Sequence, residues 1–308
     1  MSFSRDKICI VLCWLLSCMV CRSQDHPLYS QYRYNGLAVN PAFAGSRGVP
    51  NVAALYRTHL PKTEGAPVTQ TLAGDFPMIN PKLALGLLMI NDKVGIYKRM
   101  GFYGAYAFRV NMQQGKLSFG IQGGFEQMRE DASEVTVMEE GDRMFLPGMR
   151  RVFMPNVGAG MYYDAPRCFA GLSVPQLIRY ADAGAGAYKG APALSNVMLY
   201  GGMLLPVNKH VRLKPSVLLR FEQSGLLVDV NCNVLLLPDD RLEVGLSCRS
   251  TNVLAAMAQI KINSRLCIGY AYDHALKTAA IITGAHEIML RYEFNFLVKA
   301  ENPLYLKQ

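Results

Sequence analysis

Apolar and polar side chains alternate along most of this chain, in one strand-length run after another, from about residue 51 to residue 296. The last run is the clearest. Ile288, Leu290, Tyr292, Phe294 and Phe296 share one parity, while Glu287, Met289, Arg291, Glu293 and Asn295 share the other. Successive strand side chains point to opposite faces, so this run has one greasy face and one charged face. Val211–Phe221 repeats the pattern, setting Val211, Leu213, Val217, Leu219 and Phe221 against Arg212, Lys214, Ser216 and Arg220. Leu226–Leu236 puts Asp229, Asn231 and Asn233 on its polar face, and Arg265–Asp273 puts Leu266, Ile268, Tyr270 and Tyr272 on its apolar one. Lys116–Glu126 sets Leu117, Phe119, Ile121 and Phe125 against Lys116, Ser118, Gln122 and Glu126. About fourteen such runs can be traced.

Alternation alone fits both a lipocalin-like barrel, apolar inside, and a membrane barrel, apolar outside. Connection lengths favour the second. The even-numbered connections are short: Pro77–Lys82, Gln113–Gly115, Asp164–Pro166, Pro206–His210, Pro238–Asp240 and Asn263–Ser264. The first, third, fifth, seventh and thirteenth are expected to be longer, two of them beyond twenty residues. Transmembrane barrels keep tight turns on the periplasmic side and long loops outside. The runs also match the roughly 9–11 residues of a tilted crossing. Aromatics recur near run ends (Tyr56, Phe76, Phe102, Phe108, Tyr163, Phe221), as interfacial girdles require. Mid-run glycines such as Gly120, Gly160 and Gly269 suit barrel curvature and close packing. The predicted fold is all-β, a transmembrane antiparallel up-and-down β-barrel over 51–296, with about 14 strands and both ends in the periplasm.

Composition agrees. Mean hydropathy is +0.11 and 51% of residues are hydrophobic, yet no apolar run reaches the roughly 18 residues of a spanning helix. The N-terminus reads as a signal peptide over 1–23, with Arg5 and Lys7 before the apolar stretch Ile8 to Val20. Lipoprotein processing at Cys18, after Leu15-Leu16-Ser17, is the competing reading. Removing 1–23 takes Arg5, Lys7 and Arg22 together with Asp6, which lowers the net charge from +9 to +7. The basic residues are scattered singly among the runs, which argues against a nucleic-acid partner. Four cysteines remain beyond residue 23. Cys232 and Cys248 flank the Pro238–Asp240 turn at similar distances, so they either face each other in a disulfide or serve as small apolar residues.

No catalytic, cofactor or metal signature emerges: there is no GxSxG elbow, P-loop or dinucleotide fingerprint, and the histidines lack ligand spacing. His286 and Glu287 are adjacent and read as an ordinary strand-end contact. The acidic stretch Glu130–Asp142 lacks EF-hand spacing and reads as a solvated loop, and Ala181–Ala193 as an exposed one. Residues 24–50 form an N-terminal periplasmic segment leading into the barrel, and 297–308 a periplasmic tail.

Ordered short motifs add a resemblance. They are Tyr29-Ser30-Gln31-Tyr32, Asn40-Pro41-Ala42-Phe43-Ala44-Gly45, Ala54-Leu55-Tyr56-Arg57, Gly65-Ala66-Pro67, Asn91-Asp92, Gly171-Leu172-Ser173-Val174-Pro175, Gly269-Tyr270-Ala271-Tyr272-Asp273 and His286-Glu287. Together they resemble the PorP/SprF family of type IX secretion outer-membrane proteins. That resemblance implies a non-enzymatic role in export or surface anchoring of secreted adhesins. Its implied partners are periplasmic secretion proteins, a secreted cargo and outer-membrane lipid. An outer-membrane diffusion channel or hydrophobic-solute transporter is the alternative. Asn40-Pro41 reads as a turn into the first strand. The segment around it serves as a structural anchor, a plug in the barrel mouth or a docking surface. Gly65-Ala66-Pro67 and Asn91-Asp92 are expected at outward strand ends, where a cargo would meet them.

Overall fold

The computed structural model describes residues 31–32, 35–59, 65–131, 149–182, 188–192, 196–208, 210–222, 225–237, 240–276 and 284–294. The expected signal peptide with Cys18, the tail 297–308 and Phe296 lie outside them. Of the acidic stretch, only Glu130 and Asp131 are described.

The runs become strands β1 (Asn51–His59), β2 (Val68–Pro77), β3 (Leu83–Val94), β4 (Tyr97–Met112), β5 (Gly115–Asp131), β6 (Met149–Asp164) and β7 (Cys168–Val174). A small hairpin, β8 (Ile178–Asp182) with β9 (Tyr188–Pro192), stands apart. The wall then continues through β10 (Asn196–Met203), the two-residue β11 (Leu205–Pro206), β12 (Val211–Glu222), β13 (Gly225–Leu236), β14 (Leu242–Arg249), β15 (Val253–Lys261), β16 (Leu266–Ala275) and β17 (Gly284–Glu293). Every neighbour is antiparallel. β10 bridges β7 and β12, and β1 pairs with β17 with Leu55 opposite Met289, which closes a 14-stranded barrel.

The apolar parity faces outward. Ile288, Leu290 and Tyr292 are exposed, whereas Glu287, Met289 and Arg291 are buried. A water-soluble barrel would reverse this, since leaving a row of large side chains in water forgoes about 25 cal/mol per Å². Hydrocarbon is the medium that such a surface fits.

Connection lengths are less regular than expected. All six even-numbered connections are tight. The third is also tight: Val94 pairs with Tyr97 around Gly95-Ile96, with Gly95 at φ +57°. β3 to β6 keep pairing well past the length of a crossing, so their hairpins consume residues that a loop would have used. For the same reason the fifth connection shrinks to 132–148, and only the seventh, 175–195, exceeds twenty residues. It carries the β8–β9 hairpin. Cys232 and Cys248 do not face each other. Their partners are Leu246 and Val230, and both thiols are free and exposed on the outer face.

Candidate functional site: an occupied, charge-lined lumen

From residue 35, the segment before β1 lies inside the barrel. It holds two 3-10 turns, η1 (Gly36–Ala38) and η2 (Pro41–Phe43). Asn40 caps η2: its side-chain oxygen accepts the Ala42 N–H at 2.8 Å, and Pro41 fits the first turn, where no N–H is needed. The Asn40 amide nitrogen then donates to the carbonyls of Met161 (2.8 Å) and Leu172 (3.3 Å) on β6 and β7. One side chain thus shapes the turn and fastens it to the wall.

The wall is carved to receive it. A Cβ on Gly120 would stand 2.2 Å from the Ala42 nitrogen, one on Gly160 2.2 Å from the Asn40 oxygen, and one on Gly86 2.9 Å from Leu37. Ser173 donates to the Val39 carbonyl at 2.7 Å, and the Phe43 ring lies 5.4 Å from that of Tyr162. Toward β1, Arg109 donates to the Ala44 carbonyl (3.0 Å) and the Gly45 N–H to Asp75 (2.8 Å). Gly45 sits at φ +66° with Ala84 too close for any side chain. These contacts lie in the half of the barrel nearer the even-numbered turns.

The opposite wall is charged. Arg57 on β1 reaches Asp273 of β16 (2.7 Å) and Glu287 of β17 (3.1 Å). Arg249 on β14 reaches Asp229 of β13 (3.0 Å) and, across the small Ala255 of β15, Asp273 (3.6 Å). Arg220 pairs with Glu222 at 3.3 Å. All seven of these ionic side chains are almost completely buried, so each charge is stripped of water and depends on its partner for compensation. The plug segment joins this network. The Gln31 N–H donates to Glu287 at 2.8 Å, and Asn231, itself 3.1 Å from Asp229, donates to the Tyr32 hydroxyl at 3.0 Å. The chain therefore runs from β13 and β17 on one side of the lumen to β6 and β7 on the other.

Residues toward the odd-numbered connections close in as well. Gln122 donates to the Pro175 carbonyl (2.8 Å), and Gln176 donates to Glu126 (2.6 Å) and to the Tyr103 hydroxyl (2.9 Å). A cavity of about 50 Å³ remains between these groups and Val39.

The motif residues divide by face. Asn40 to Gly45 form the plug. Asp273 and Glu287 are lumen-facing ion partners, and Gly269 makes room for the Gln31 side chain. Tyr270, Tyr272 and His286 face outward, with the Tyr270 hydroxyl 2.8 Å from His286 Nδ1. His286 and Glu287 thus stand on opposite faces of β17 and form no pair. Gly65 accepts the Gly95 N–H at 2.9 Å, and Pro67 accepts the His59 N–H at 3.0 Å, so Gly65-Ala66-Pro67 joins the first and third connections. Asn91 and Asp92 lie inside β3 near its end at the third connection, Asn91 donating to Gln70 and Asp92 accepting from Thr69. Of this network, Arg249 was not singled out in the sequence, and Asp229 was placed only on the polar face of its strand. The available signal was Arg57 closing Ala54-Leu55-Tyr56-Arg57 on the lumen parity.

The sequence profile described as "Type IX secretion system membrane protein PorP/SprF" matches residues 21–292. The chain belongs to the PorP/SprF family. Comparison with curated proteins finds no match. Among solved structures, this PorP/SprF barrel is similar to the toluene transporter TodX of Pseudomonas putida. The two are 10% identical over 89% of this chain and 95% of that one, with a TM-score of 0.48. Omp33 of Acinetobacter baumannii is 9% identical over 80% and 98%, with a TM-score of 0.47. The KdgM porin is 11% identical over 79% and 99%, with a TM-score of 0.37. At such identities the likeness concerns the fold alone.

Proposed function

We propose that this protein is a non-enzymatic outer-membrane component of the type IX secretion system that supports export of secreted proteins or holds them, adhesins included, at the cell surface. The observation that carries this reading is the Asn40–Gly45 segment fastened across the lumen of a PorP/SprF barrel. A barrel whose interior is taken up by its own chain suits gripping partners at its two ends better than passing solutes. Periplasmic secretion proteins would meet the even-numbered turns, and a secreted cargo the β8–β9 hairpin and the joined Gly65 and Gly95 turns. Residues 1–23 would be removed on export, and 297–308 would lie in the periplasm.

Deleting the gene and comparing secreted and surface-exposed proteins with the parent strain tests this. Loss of one or more exported proteins, with solute uptake unchanged, is the expected result. Intact export and intact surface proteins, with impaired uptake of a hydrophobic solute, would overturn it in favour of a transporter.

A further inference from the structure

The periplasmic mouth beside the plug holds a second concavity, of about 480 Å³, lined by Arg241, Lys261, Arg265 and Arg291 with Glu293 as its one acidic group. Its size falls in the range of small-ligand sites, about 300–1,000 Å³. Arg291, at its inner end, is only 4% exposed, and two of its nitrogens, Nε and Nη1, have no hydrogen-bond partner. Among the described residues the carboxylate within ion-pair reach is Glu293 (3.3 Å from Nε), and Glu293 is shared with Arg47 at 3.6 Å. Among the described residues, four cations and one carboxylate line the pocket, and Arg47 shares that carboxylate from the plug. Burial first, and then the Arg291 guanidinium, pull the Arg47 pKa down to about 10, although Glu293 and Asp75 push it up. Such crowding of like charge costs free energy unless an anion joins it.

The other lining groups are arranged as donors. Arg241 is tied to the Lys261 and Ile262 carbonyls (3.4 and 3.3 Å), which holds its guanidinium over the β15–β16 turn. The Asn263 carbonyl oxygen accepts from the Arg265 and Leu266 N–H groups (2.8 and 2.7 Å), leaving its amide N–H groups available. Ser264 adds a hydroxyl. The Arg265 side chain is exposed at the rim.

We infer that this pocket binds a phosphoryl-bearing anion, with Arg291 at its floor and Arg241, Lys261 and Arg265 around the opening. Planar guanidinium forks match phosphate oxygens, and several of them converging on one cavity favour a multiply charged group over a single carboxylate. The inference goes beyond the secretion role and does not depend on it. Two sources share the chemistry: free phosphate compounds of the periplasm and the head group of an anionic phospholipid.

Titration calorimetry on the full-length barrel in neutral detergent tests it, with inorganic phosphate and short-chain phosphatidylglycerol as probes and choline chloride as a cationic control. Saturable binding of either anion, weakened about tenfold by Arg291→Gln as for one lost charge-assisted hydrogen bond, is the expected result. Arg265→Gln, at an exposed side chain, should weaken it less and leaves folding undisturbed. Tighter binding of phosphatidylglycerol assigns the site to lipid; equal or tighter binding of phosphate assigns it to a free anion. No saturable binding, or binding unchanged in both variants, overturns the proposal.

Discussion

The two walls of the lumen hold the same segment by different physics. On the side of β3 to β7 the fit is one of shape: Gly120 makes room for the plug backbone at Pro41 and Ala42, Gly86 for the Leu37 side chain and Gly160 for that of Asn40, which supplies the polar contacts. On the side of β12 to β17 and β1 the fit is one of charge: Arg57, Arg249, Asp229, Asp273 and Glu287 form a chain of ion pairs that takes in Gln31, while Tyr32 joins through Asn231. A wedge without a tether could slip along the barrel axis, and a tether without a wedge could swing. The combination fixes both position and orientation, and each half can be attacked separately.

The charged wall should give the largest effect. Arg57→Ala leaves Asp273 and Glu287 buried without that partner, a loss of about 3–5 kcal/mol in the unfolding free energy of the detergent-refolded barrel. A loss below about 1 kcal/mol would mean that water already solvates the network. Next comes the contrast between outside and inside. Leu290→Lys, on the lipid face, should cost about 2–4 kcal/mol, and Arg291→Gln, one position away on the lumen face, clearly less. Equal costs would invert the face assignment. The shaped wall offers a matched pair on β5. Gly120→Ala pushes into the plug and should cost about 1–3 kcal/mol. Gly123→Ala meets open space and should change stability by less than about 0.5 kcal/mol. Smallest of all, Cys232→Val and Cys248→Val should each change it by less than about 0.5 kcal/mol, and reductant should leave the unmodified barrel unaffected.

The faces were legible because the period of a strand is strictly two: Glu287 and Arg291 go inward and Ile288, Leu290 and Tyr292 outward wherever the register falls. Loop lengths were less so. Whether a hairpin ends at the membrane surface or continues above it depends on pairing between strands, and at Gly95-Ile96 a two-residue turn replaced an expected loop. The plug was visible only as Asn40-Pro41, a turn signal, since a short segment with two 3-10 turns has no period to read. The ion network was hidden for a different reason. Arg57 is separated from Asp273 and Glu287 by most of the chain and meets them only when β1 closes on β17. Local pattern carries no information about that seam.

Cross-linking of the plug to the shaped wall is the most direct test. In a background lacking the four cysteines beyond residue 23, Val39→Cys and Ser173→Cys put thiols at positions linked by a 2.7 Å hydrogen bond from the Ser173 hydroxyl to the Val39 main-chain carbonyl, within reach of a short bismaleimide cross-linker. Leu55→Cys with Met289→Cys, paired across the closing seam, serves as the positive control. Efficient cross-linking of both pairs in intact cells is the predicted result. A seam pair that closes while Val39→Cys and Ser173→Cys remain unlinked would place the segment outside the lumen and contradict the account.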